Sequence, residues 1–251
     1  MRRLLAGILL SCVLVACGDS DDGEPERRTL RVAAASSLTD AFEAIRGEFV
    51  ADHEDIDVEL SFASSSVIAQ QVNELAPIDV VATADVRSMA AMVDEGTVDA
   101  PDIFAANRLT MIVEPGNPKR VASLADLATP GTVTVLCVET APCGRYAAAA
   151  LAKAGVSFEP ASREENVKAV VAKVTLGEAD AGIVYETDAL AADDDVDAVA
   201  IANAGDDDLR ATYAIAGATI AEDDDAAADW LAFVLSERGQ GVLRRFGFLD
   251  T

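Results

Sequence analysis

Two hydrophobic periods alternate along the chain. A short run from Thr29 to Ala35 precedes Leu38, Phe42, Ile45 and Phe49, spaced four, three and four apart, which is one apolar stripe on a helix reaching about Asp52. Val58, Leu60 and Phe62 then alternate with Glu59 and Ser61, the period of a half-buried strand. A helix with Ile68, Val72 and Leu75 on one face follows. Next come a strand over Pro77–Ala82 and a helix carrying Met89, Met92 and Val93 that stops before Gly96. The second half repeats the scheme. Leu109–Val113 is a strand closed by Glu114-Pro115-Gly116-Asn117-Pro118. Thr132–Val138 is a β-branched strand, and the loop after it opens an alanine-rich helix ending at Gly155. Glu165-Asn166-Val167 opens a helix with Val167, Val170, Val171 and Val174, stopped by Gly177. Ala181–Tyr185 is a buried strand, and Glu186 starts a short helix. Late strands over Val196–Ile201 and Tyr213–Ala218 precede a final helix marked by Trp230, Phe233 and Val234. Strands alternating with helices predict an α/β fold.

The junctions carry the chemistry. Ala33-Ala34-Ala35-Ser36-Ser37-Leu38 passes from strand to helix through hydroxyls, and Ala63-Ser64-Ser65-Ser66 does the same. Ser37-x-x-Asp40 and Ser123-x-x-Asp126 fit capping boxes, which predicts Ser37 as a helix N-cap. A helix start offers free N–H groups and about half a positive charge, a ready anion site. In open α/β sheets ligands sit beyond the carboxyl ends of strands, where these segments fall. Ser37 and Ser65 are candidate anion contacts, with plain helix capping as the alternative. Ser36, Ser64 and Ser66 are expected to be local caps.

The ends and the charge narrow the classes. Arg2 and Arg3 followed by the apolar run Leu4–Val15 form an export signal, too short for a membrane span of roughly 20 residues. Leu14-Val15-Ala16-Cys17 resembles a bacterial lipobox, which implies cleavage after residue 16 and a lipid on Cys17; an ordinary secretory signal is the alternative. Residues 17–28 read as a flexible tether. The formal net charge is −25, and removing Met1–Ala16 takes away Arg2 and Arg3 and no acid, leaving −27. That disfavours nucleic acid as a partner. A small anion remains possible as ligand, because exposed charges beyond about 8–10 Å are screened and nearby dipoles decide. The aspartate runs at 193–195, 206–208 and 222–225 lack calcium-loop spacing and read as solvated loops.

His53 is the sole histidine and lies in a polar segment, so neither a Ser-His-Asp triad nor a histidine metal site can be assembled. No lysine neighbours Ser37 or Ser65, which disfavours an exported serine-dependent enzyme. Neither a Walker loop nor a dinucleotide glycine pattern is present. Cys137 and Cys143 lie six apart around a turn in an exported chain; a disulfide and two separate buried thiols both fit.

Taken in order, VAAASSLTDAF, SFASSSVIAQQV, PIDVVATAD, APCGRY, ENVKAVV, AGIVYETDA and RRFGF resemble the periplasmic molybdate-binding proteins of ABC importers, over about Leu30 to Phe248. The resemblance implies a type II periplasmic-binding-protein fold: two α/β lobes, two crossover strands and a ligand cleft between them. The lobes would be residues 29–107 plus 217–251, and 109–212. Carried over position by position, the family's two ligand serines fall on Ser37 and Ser65, its backbone N–H donors on Cys143 and Val167, and its tyrosine hydroxyl on Tyr185. Cys143 replaces the family's alanine, and Arg145 has no assignable counterpart. The resemblance further implies a monomeric receptor without cofactor. It would be anchored outside the cell, hold molybdate or tungstate by oxyanion contacts alone, and deliver it to an ABC permease. Sulfate or phosphate is the alternative ligand.

Overall fold

In a computed structural model of the chain, residues 27–202 and 209–251 are described. The expected leader at 1–16, the lipidation site Cys17 and the tether as far as residue 26 lie outside them.

In chain order the structure begins with β1 (Arg28–Ala35), α1 (Thr39–Val50), β2 (Ile56–Ala63), α2 (Ser65–Asn73), β3 (Val80–Thr83), α3 (Val86–Glu95) and β4 (Asp102–Asn107). It continues with β5 (Leu109–Val113), β6 (Thr134–Cys137), α4 (Pro142–Lys153), β7 (Ser162–Glu164), α5 (Val167–Thr175), β8 (Ala181–Tyr185), α6 (Glu186–Ala192) and β9 (Asp197–Ala200). β10 (Ala211–Gly217), α7 (Asp224–Leu235) and α8 (Glu237–Arg245) close the chain. The strands form two five-stranded sheets, ordered β2-β1-β3-β10-β4 and β7-β6-β8-β5-β9. Helices cover both sheets, which makes this a two-lobed α/β fold.

The parallel pairs β1–β2 and β1–β3 put the carboxyl ends of three strands on one edge of the first sheet. β6 likewise runs parallel to β7 and β8 in the second. Because a parallel neighbour requires a crossover, each of these strands is followed by a helix, and each helix starts on that edge. The stripe on α1 behaves as its spacing predicts: Phe42, Ile45 and Phe49 are fully buried. Phe42 and Phe49 meet the ring of Trp230 from α7 edge-on, with centroids 5.8 and 5.2 Å apart. Burying each such side chain contributes about 1.5–3 kcal/mol.

Several expectations need correction. β4 was not anticipated: Pro101 precedes a short run with no alternation, and only its pairing with β10 makes it a strand. Ala211 and Thr212 pair with Asn107 and Ala106, so they belong to the first sheet and not to the second lobe. β10 fills the gap between β3 and β4, and starting it at residue 211 satisfies both neighbours. The closing helical stretch is two helices, broken at Ser236, whose side chain caps the second by accepting from Gly239 N–H. The box at Ser123 and Asp126 is formed, with Asp126 Oδ2 accepting from Ser123 N–H at 2.9 Å. Ser37, by contrast, is not a cap. A 3-10 turn over Ser36–Leu38 enters α1, leaving Leu38 at the N-cap position, and the Ser37 hydroxyl is engaged elsewhere.

Candidate functional site

One small cavity lies where helix starts from the two sheets converge. It is lined by Ser36 and Ser37 of the 3-10 turn, Ser64 and Ser65 at the start of α2, Pro142 and Cys143 at the start of α4, Asn166 and Val167 at the start of α5, and Tyr185 at the end of β8. Ala35, Ala63 and Ala84 complete the wall. The structure thus brings together Ser37, Ser65, Cys143, Val167 and Tyr185, which are far apart in sequence. The free volume inside it is about 10 Å³, on the order of what a single water occupies, so the walls stand close together. None of the twelve lining residues carries a formal charge.

Each wall is positioned by a local rule. Pro142 occupies the first turn of α4, where its missing N–H costs nothing and its fixed φ suits a helix start. Asn166 caps α5 by accepting from Ala169 N–H at 3.1 Å, which leaves Val167 at the first helical position with its N–H free of intrahelical partners. The disulfide Cys137–Cys143 ties the end of β6 to the first turn of α4, with Cα atoms 5.9 Å apart. Ser64 and Ser66 interact with each other at 3.2 Å and make no side-chain cap.

The hydroxyls of Ser65 and Tyr185 are set for donation. Ser65 Oγ accepts from Ala84 N–H at 2.9 Å, so its own hydrogen is free to point into the cavity. Ser37 Oγ lies 2.7 Å from the hydroxyl of Tyr213, a partner on β10 that spacing along the chain does not reveal. Tyr185 Oη is buried and has no hydrogen-bond partner among the described residues. An unpaired buried hydroxyl costs about 1–3 kcal/mol. Burial, followed by the neighbouring Tyr213, Tyr146 and carboxylates, pushes this phenol well above its ordinary value, so it stays protonated and has a hydrogen to give. The arrangement therefore offers hydroxyl and backbone N–H donors and no fixed countercharge. Among the described residues no cluster of His, Cys, Asp or Glu could hold a metal ion.

Behind Tyr185, Asp188 accepts from the backbone N–H of Tyr185 at 3.3 Å and is fully buried. Burial pushes its carboxyl up to about 7, against the partial opposition of Lys168. The folded chain then holds an extra proton between the ordinary value and about 7, so stability falls as pH rises through that window. Between pH 5 and pH 8 this one group is expected to remove about 2–3 kcal/mol. Asp188→Asn keeps an acceptor for Tyr185 and should flatten that slope in urea unfolding. Equal pH slopes in the two chains would contradict the assignment.

The comparisons agree with this picture. The family model of bacterial extracellular solute-binding proteins matches residues 30–249. The molybdate-binding protein ModA of Mycobacterium tuberculosis is 34% identical over 251 aligned residues, covering 97% of this chain and 95% of the relative. In fold the chain is similar to the Azotobacter vinelandii periplasmic molybdate-binding protein (TM-score 0.76, 17% identity, 88% of this chain and 99% of the other). It is equally similar to the sulfate-binding protein SubI of Mycobacterium tuberculosis (TM-score 0.75, 19% identity, 90% and 88%). A family match across nearly the whole folded body, with a relative at this identity, shows that the chain belongs to the bacterial extracellular solute-binding proteins, which are binding proteins and not enzymes.

Proposed function

We propose that this chain captures molybdate, with tungstate as a second ligand, and hands it to an ABC permease, Ser37, Ser65, Cys143, Val167 and Tyr185 supplying the contacts. The observation that carries this reading is the small uncharged cavity whose polar groups are donors, including a buried tyrosine hydroxyl without a partner. A tetrahedral dianion has acceptors only. Each hydrogen bond to a charged group contributes about 1.5–3 kcal/mol, and several together offset dehydration without a countercharge. Protonated phosphate brings an O–H that needs an acceptor, and the site has spare acceptors only on hydroxyls, each of which must then turn its own hydrogen away from the anion, so phosphate is disfavoured. Sulfate differs by size, its bonds being shorter. The name of the Mycobacterium tuberculosis relative supports the molybdate reading at 34% identity. Export and a lipid anchor at Cys17 belong to the same proposal and would keep the receptor beside its permease.

Titrating residues 27–251 with molybdate, tungstate, sulfate, phosphate and chromate, followed by calorimetry and by melting temperature, tests it. Stabilisation by molybdate and tungstate alone is the expected result. An equal response to sulfate would favour a sulfate receptor, the reading that the fold likeness to SubI supports.

A further inference from the structure

Arg145 stands one residue beyond the Pro142–Gly144 corner of the site, on α4, and reaches out of its own half of the molecule. Its guanidinium pairs with the carboxylate of Asp85, at the start of α3 on the opposite sheet, and donates to Ser88 Oγ at 3.2 Å. Its other nitrogen donates to the carbonyl of Thr140 in its own loop. The Asp85 side chain is 5% exposed and that of Arg145 22%, so water screens the pair poorly. Asp85 follows Ala84, a wall of the cavity, and it raises the hydroxyls of Tyr146 and Tyr185, though less than burial does, so its charge is felt inside the site. A second ion pair crosses on the other rim: Lys168, next to Val167, lies 2.6 Å from Asp40 in the first turn of α1, close to Ser37.

A bare carboxylate beside an anion pocket opposes its ligand, and the cavity itself holds no cation to offset it. Resting on the oxyanion reading above, we infer that Arg145 is a positioning residue of this site: paired with Asp85 across the cleft, it clasps the two halves closed and cancels the carboxylate that would otherwise face the anion. It touches Asp85, Ser88 and Thr140 and does not line the cavity. The Lys168–Asp40 pair repeats the clasp on the far side.

The test is calorimetry and stopped-flow release with sodium molybdate on the unaltered chain, Arg145→Met, Asp85→Asn and the double variant. Arg145→Met is expected to bind about 30-fold more weakly, the loss appearing mainly as faster release. Asparagine caps a helix as well as aspartate does, so Asp85→Asn keeps α3 capped and should stay within about fivefold of the unaltered chain. The double variant should recover about tenfold over Arg145→Met, because the bare carboxylate is gone. Unchanged affinity in Arg145→Met would overturn the inference. So would a double variant as weak as Arg145→Met, since Arg145 would then be attracting the anion directly. Failure of the unaltered chain to bind any oxyanion would refute the reading of the pocket separately. The clasp would then be judged on the ligand-free proteins by small-angle scattering: Arg145→Met should show the larger radius of gyration, and an equal radius would refute it.

Discussion

Ser65→Asp is expected to abolish oxyanion binding, by more than about 10³-fold, while leaving the chain folded. Ser65 is fully buried, lines the cavity and sits at the first position of α2. A carboxylate there would face a dianion at about 4 Å. With an effective dielectric constant of about 20, the repulsion is of the order of 8 kcal/mol, and relaxation that halves it still leaves the quoted loss. Folding should survive for two reasons. An acidic residue in the first turn of a helix is favoured by the dipole. The new carboxylate can also accept the Ala84 N–H that Ser65 Oγ accepts now. Calorimetry with molybdate reads the first effect and far-ultraviolet circular dichroism with a melt reads the second. A folded variant that still binds within tenfold of the unaltered chain would put the ligand in some other place.

Gly144→Ala should be the most damaging small change at the site. A Cβ there would lie 2.0 Å from the carbonyl oxygen of Val138, 2.5 Å from its carbonyl carbon and 2.9 Å from the carbonyl oxygen of Cys137. All three are backbone atoms. The Cys137–Cys143 disulfide pins the segments on both sides of the contact, so they cannot separate to make room. Overpacking costs about 1–3 kcal/mol, and the rigid setting argues for the upper end. At about 2–4 °C per kcal/mol for a chain of this size, the melting temperature should drop by roughly 6–12 °C. Molybdate affinity should fall with it, because the displaced corner carries the Cys143 N–H. Gly47→Ala is the control: nothing lies within 4 Å of its Cβ, and it sits on the exposed side of α1. There the same substitution should stabilise by about 0.5–1 kcal/mol. Similar melting temperatures for the two variants would refute the steric account.

The donor corners were legible before the fold was known. The serine pairs that follow two strands are local signatures, set by neighbours within a few residues, whereas the corners at Cys143 and Val167 came from the family resemblance. What joins the corners was not legible. Ser37 and Tyr213 are separated by 176 positions and Arg145 and Asp85 by 60, and no spacing rule couples residues across such gaps. Ser37 shows the consequence. Its neighbours matched a capping box, yet a 3-10 turn and a tyrosine from β10 claimed its hydroxyl. β4 escaped for a related reason, since a short apolar run becomes a strand only when a partner such as β10 is already in place. Ser36 and Ser64 also reach the cavity wall, although their local patterns suggested capping alone, and Asn166, which was not singled out as a contact, lines it too.

By itself the sequence determined most of the order of strands and helices, the polar start of most helices, an acidity that disfavours nucleic acid and the supply of neutral donors. These depend on hydrophobic period, backbone preference and composition, all of which act over short stretches of chain. Only the tertiary structure decided that those starts meet in one cavity and that Tyr185 is left there without a partner. It also decided that Cys137 and Cys143 are joined, and that Asp85 beside the site is answered by Arg145 from the other half. The reason is that sheet order and long-range packing place these groups, and neither is written in the neighbours of any one residue.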